Sequence, residues 1–136
     1  MKFISLFLST ITTAFIIDIT WIGLVAKNLY HKEIGMLLRK SGDTVTPIWW
    51  TGIPVYILIT LGILFFVLPK AQGNYSSALI YGALFGAITY GVYDFTNYSV
   101  LAHWPLNITL IDFIWGTVLC ALTSVLVTFY QHQFLS

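Results

Sequence analysis

Four long apolar runs separated by short polar segments dominate the chain: roughly residues 3–26, 47–68, 77–101 and 107–130. Each is long enough to cross a hydrocarbon layer of about 30 Å at about 1.5 Å per helical residue. The pattern predicts an all-α fold, an integral membrane four-helix bundle forming a single domain over residues 1–136. The first run follows Lys2 and superficially resembles a secretory signal. It is too long for an apolar signal core of about 7–15 residues and lacks a small-residue cleavage pattern. It also continues through Asp18 into Trp21-Ile22-Gly23-Leu24-Val25, as a first span would.

Between the first two spans, residues 27–40 intersperse Leu29, Tyr30, Ile34, Leu37 and Leu38 with Lys27, Lys32, Glu33, Arg39 and Lys40. That alternation predicts an amphipathic helix on the membrane surface, with Tyr30, Lys32 and Glu33 meeting lipid headgroups. Ser41-Gly42-Asp43 is expected to end it. Pro47 suits a first helical turn, Pro54 is expected to kink the second span and Pro69 to stop it. Gln72 to Ser76 forms a polar turn. In the third span, Gly82 and Gly86 have the small-xxx-small spacing that lets helix backbones approach closely, which predicts a central position for this helix. His103-Trp104-Pro105 makes a tight turn into the fourth span, and residues 131–136 are too few to fold alone.

Composition excludes several function classes. Only 8% of residues are charged, against about 25% in a soluble domain, and 58% are hydrophobic, so the chain is built for lipid. A formal net charge of +1 cannot supply a clustered basic surface for nucleic acid. The lone Cys120 excludes an internal disulfide and a multi-cysteine metal centre, and His31, His103 and His132 offer no compact ligand spacing with the acids. No metal and no cofactor are expected. Lys27, Lys32, Arg39 and Lys40 flank one side of the membrane, against Lys2 and Lys70 on the other. The positive-inside rule then places both termini outside the cytoplasm.

Three of the five acidic residues, Asp18, Asp94 and Asp112, fall within spans. Each costs roughly 2.5–3.5 kcal/mol at mid-helix on insertion scales, so each needs a partner or a task. At about 1.5 Å per residue, Asp18 lies about 12 Å before the end of the first span, Asp94 about 10 Å before the end of the third, and Asp112 about 8 Å into the fourth. Because successive spans alternate in direction, the three share one depth. Trp21, Trp49, Trp50, Trp104 and Trp115 belong to that same half, with Trp49 and Trp50 read as interface anchors. Asp18 and Trp21, like Asp112 and Trp115, are three residues apart, so each indole can cover the carboxylate of its own helix. In antiparallel helices this recurrence resembles an inverted repeat. Tyr90, Asp94 and Asn97 share a face of the third helix, and with His103, Trp104 and Asp18 they form a candidate ligand-binding or proton-handling pocket.

The segments Asp18-x-x-Trp21-x-Gly23-Leu24, Tyr93-Asp94-Phe95-Thr96-Asn97, Trp104-Pro105-Leu106 and Asp112-x-x-Trp115-Gly116 resemble a family of small bacterial membrane proteins of unknown function, numbered 2177. The resemblance implies a four-helix inner-membrane fold and no established activity. It also hints at membrane-lipid metabolism and at a lipid-modifying enzyme as partner. Three readings stand at this point: a protein that binds a small or lipid-like ligand, whether enzyme or enzyme partner; a proton-coupled transport component acting as a homo-oligomer; and a structural or assembly subunit. Membrane lipids are the expected surroundings in all three.

Overall fold

The computed structural model describes residues 1–136 and contains four helices long and apolar enough to span a membrane. The first comprises α1 (Lys2–Thr20) and a π-helical turn at Trp21–Val25. A surface helix, α2 (Lys27–Ile34), follows, then a two-stranded hairpin, β1 (Lys40–Ser41) and β2 (Thr44–Val45). The second span opens with a 3-10 turn at Trp49–Thr51 and continues through α3 (Gly52–Gly62), a π-helical turn at Ile63–Val67 and α4 (Leu68–Ala71). The third and fourth spans are the uninterrupted helices α5 (Tyr75–Val100) and α6 (Leu106–Phe134). We call the side holding α2, the hairpin and the α5–α6 turn the connection face, and the opposite side the terminal face.

The connection after the first span differs from the expected fourteen-residue surface helix. α2 stops at Ile34, and residues 40–45 pair as a hairpin with Ser41 opposite Thr44. Its two-residue loop is Gly42-Asp43, with Gly42 at φ +61°, the positive value that the first central position of a type II′ turn requires. Arg39 and Lys40 therefore leave the helix, because turn chemistry at Gly42 competes with apolar periodicity too weak to carry the helix further.

The prolines also act differently from their sequence reading. Pro47 precedes the helix, with Ile48 still extended, and Pro54 sits in the first turn of α3, where a missing amide costs no helical hydrogen bond. Pro69 does not end the span: it occupies the first turn of α4, immediately after the π turn that re-phases the helix, and the chain stays helical to Ala71. At the other end, α6 runs to Phe134, so most of the tail continues the fourth span.

The central helix is α6, not the third span. It buries ten residues, from Ile108 to Thr128, whereas α5 buries only Ala78, Gly82, Gly86 and Asp94. The glycine pair does bring α5 close. A Cβ at Gly82 would lie 2.7 Å from the Cys120 carbonyl oxygen, and one at Gly86 would strike the Gly116 backbone. The sequence pattern identifies the contact, but close approach leaves the small-residue helix on the flank when its partner has neighbours on other sides. α6 does: α1 packs along it, and the π turn Ile63–Val67 meets it to form a core of Ile59, Ile63, Leu64, Val67, Leu68, Cys120 and Val127. Several hydroxyls inside the bundle are tied to their own helices, as with Thr10 to Leu6, Ser124 to Cys120 and Thr128 to Ser124, while those of Thr60 and Thr123 have no partner.

The close approach generates a test. Gly82→Val should destabilise the bundle by about 1–3 kcal/mol through overpacking, read as a lower melting temperature in detergent. Gly23→Ala, where an added Cβ meets nothing within 4 Å, should leave that temperature nearly unchanged.

Candidate functional site

The three intramembrane acids occupy three different environments. Asp18 is 8% exposed and both its oxygens accept hydrogen bonds: Trp115 Nε1 donates to Oδ1 at 2.8 Å and the Tyr56 hydroxyl to Oδ2 at 2.7 Å. One carboxylate on α1 thus joins α6 and α3. Asp112 is half-buried and accepts from the Tyr30 hydroxyl at 2.7 Å, which ties the surface helix α2 down onto α6. Asp94 is fully buried, and no donor in the chain reaches either oxygen. Its neighbour is the Asp112 carboxyl.

The two Asp-x-x-Trp segments meet across the bundle instead of folding back on themselves. Trp115 bonds the aspartate of the other helix, and the Trp21 and Trp115 rings stack with centroids 4.4 Å apart and planes within 8°. Each indole was expected to cover the acid three residues before it. The antiparallel packing of α1 and α6 instead brings the two faces together, and the crossed pairing satisfies a carboxylate at the interface. The relation is not symmetric: Trp21 Nε1 is buried without a partner, beside Tyr30. The Tyr90 ring lies over Gly116, one residue after Trp115, where a Cβ would collide with it. The network therefore contains Asp18, Trp21, Tyr90, Asp94, Asp112 and Trp115.

A cavity of about 520 Å³ lies between this network and the connection face. Asp112 and Tyr30 lie along it, with Tyr93 and Trp104 on one wall and Pro47 and Trp49 on another. Ile22, Ile34, Val45 and Ile108 make much of the remainder apolar, and Lys27 and His31 bring basic groups. Tyr93 and Trp104 meet edge to face at 6.0 Å, and the buried Trp104 Nε1 has no partner.

Two of the proposed pocket residues fall elsewhere. His103 is exposed and borders a surface depression with His31, Lys32 and Lys40, apart from the acids. Asn97 is half-buried and lines neither place; its backbone carbonyl accepts from Leu101 N at the end of α5. Trp49 and Trp50 are 77% and 69% exposed. Conversely, sequence reading missed Tyr30 and Tyr56, the donors that hold two of the acids. Tyr56 had a detectable signal: it is the lone tyrosine of its span and lies about 13 Å from Pro47, close to the depth computed for Asp18. Tyr30 was assigned to lipid headgroups, but the chain turns after the π-helical segment and points its hydroxyl inward.

These features define a four-span integral membrane protein with a polar core at one end. Residues 3–129 match the family described as a predicted membrane protein, the domain of unknown function numbered 2177, and the chain belongs to that family. No curated protein and no solved structure matches it.

Two tests follow from the network. In a double-mutant cycle, Asp18→Ala and Trp115→Phe should each lower stability and should couple by about 0.5–2 kcal/mol, measured by unfolding in mixed micelles, because either change removes the same bond. The Tyr30 hydroxyl has its proton affinity raised, first by burial and then by the adjacent Asp112 carboxylate. Raised in the folded state, it contributes stability that is complete below the unfolded tyrosine value of about 10 and is lost as pH climbs above it. Docking of α2, followed by a spin-label distance between α2 and α6, should be constant from about pH 6 to 9 and loosen only above about pH 10. Tyr30→Phe should loosen it at every pH.

Proposed function

We propose that this protein binds a small amphipathic, lipid-like ligand in the cavity at its connection face, within the inner membrane of a bacterium and in the service of membrane-lipid metabolism. The observation that carries this reading is the cavity itself. At about 520 Å³ it falls in the range of small-molecule sites, and it joins apolar walls to a few converging polar groups. Asp112 and Tyr30 offer a hydrogen-bonded acid at one part of it, and Trp104 Nε1 is a buried donor awaiting an acceptor. Lys27 supplies positive charge for an anionic group, and His31 adds a hydrogen-bonding ring.

With the four basic residues Lys27, Lys32, Arg39 and Lys40 on the connection face, the proposed orientation puts both termini outside the cytoplasm and opens the cavity toward the cytoplasmic leaflet. A structural role is favoured for Asp18 alone, since both its oxygens are taken up by donors from neighbouring helices. The ligand role rests on Asp112, Asp94, Tyr30, Tyr93 and Trp104.

Native mass spectrometry of the protein released from nanodiscs of phosphatidylethanolamine and phosphatidylglycerol provides the test. Wild type should retain one lipid through detergent washing, and Asp112→Asn and Trp104→Ala should each retain roughly tenfold less while remaining folded. Equal retention by all three proteins would remove the cavity as the binding site.

A further inference from the structure

The second and third spans part company along their length. α4 and the π turn Ile63–Val67 pack against α5 near the terminal face, and the Phe85 ring lies so close to Gly62 that an added Cβ would be 2.6 Å from Cε2. From that apex toward the connection face, α3 follows α1, and α5 follows α6. The result is a wedge-shaped groove of about 510 Å³. Val55, Leu58 and Ile59 form one wall, and Phe85, Thr89, Tyr90 and Tyr93 form the other. Its polar content is slight, because Thr89 Oγ1 donates back to the Phe85 carbonyl at 2.9 Å.

Three observations identify what fills it. The groove lies at hydrocarbon depth, from Phe85 to Tyr93 over about 12 Å of helix rise, where the surrounding solvent is acyl chain and not water. Beyond the Gly62–Phe85 contact its two walls belong to helices with different partners, α3 beside α1 and α5 beside α6. Tyr93 lines both the groove and the cavity that holds Asp112 and Trp104, so the apolar and polar spaces are neighbours on either side of one side chain.

We propose that the groove holds an acyl chain of a bilayer phospholipid that enters sideways between the second and third spans and places its headgroup in the connection-face cavity. The proposal rests on the ligand-binding reading of that cavity and sharpens it to a substrate class. The phosphate lies toward Lys27 and His31, a hydroxyl or ammonium of the headgroup faces Asp112, and the chain runs along Tyr93 to Phe85. A groove closed at Phe85 and Gly62 also limits how far a chain can penetrate. Gly62 thereby sets the end of the groove by admitting the Phe85 ring.

The test uses the full chain in nanodiscs of phosphatidylethanolamine and phosphatidylglycerol doped with a phospholipid carrying a diazirine on one acyl chain. After irradiation, peptide mass spectrometry should find cross-links enriched roughly tenfold along residues 55–59 and 85–93 over the exposed outer positions Leu122, Leu126 and Phe129. Uniform labelling around the bundle would overturn the proposal. Thr89→Trp and, from the opposite wall, Leu58→Trp fill the groove, and each should abolish both the enrichment and the retained lipid while the melting temperature is kept. If both filled variants retain lipid while Asp112→Asn loses it, the cavity binds a ligand without the groove, and only this proposal fails. If wild type retains no lipid, the cavity reading and the groove fail together.

Discussion

A carboxylate set into the hydrocarbon layer must find its donors within the protein, because lipid tails offer none. In this chain Asp18 meets that demand with the Trp115 indole from α6 and the Tyr56 hydroxyl from α3, and so fixes three of the four spans relative to one another. The stacking of Trp21 on Trp115 depends on that alignment, as does the position of Tyr90 over Gly116. α5 is brought in by a different force, the close backbone contact at Gly82 and Gly86. Since neither device joins α3 directly to α5, the groove between those helices is a consequence of how the bundle is held.

The three acids show how similar residues at similar depth take different roles. Asp18 is saturated with donors and acts as a tie between helices. Asp112 has one donor, Tyr30, and borders a cavity. Asp94 is fully buried and neither of its oxygens has a hydrogen-bond donor. A buried polar network is costly unless it is complete, and an incomplete one is where a proton or a ligand contributes most. Asp94 and the indoles of Trp21 and Trp104 are among the buried groups left without a partner, while the tie at Asp18 is complete.

The four spans were legible because hydrophobic length is a one-dimensional property that the membrane reads directly. The expectation that Asp18, Asp94 and Asp112 share a depth came from helix rise and alternating direction alone. Partners were harder, since they depend on the rotation of each helix about its axis, which packing decides. Spacing of three residues paired each acid with the indole of its own helix, yet the bonds formed across helices, from Trp115 to Asp18 and from Tyr30 to Asp112. Tyr56 was marked only by being the lone tyrosine of its span, which gives its depth but not the direction it faces. Asn97 and His103 were grouped with the acids by proximity in sequence, but one sits at the end of α5 and the other on the surface. The π turns at Trp21–Val25 and Ile63–Val67 left no pattern to read, because a single extra residue per turn is imposed by contacts elsewhere.

The central claim is that the connection-face cavity beside Asp112 is a binding site for an amphipathic molecule. A density map of the protein in lipid nanodiscs, obtained with a bound antibody fragment for alignment, tests it most directly. The account predicts continuous density that begins between Tyr30, Asp112 and Trp104 and extends past Tyr93 toward Phe85. A cavity that holds only water, with Trp104 Nε1 and Asp94 bonded to side chains of the protein itself, would contradict it.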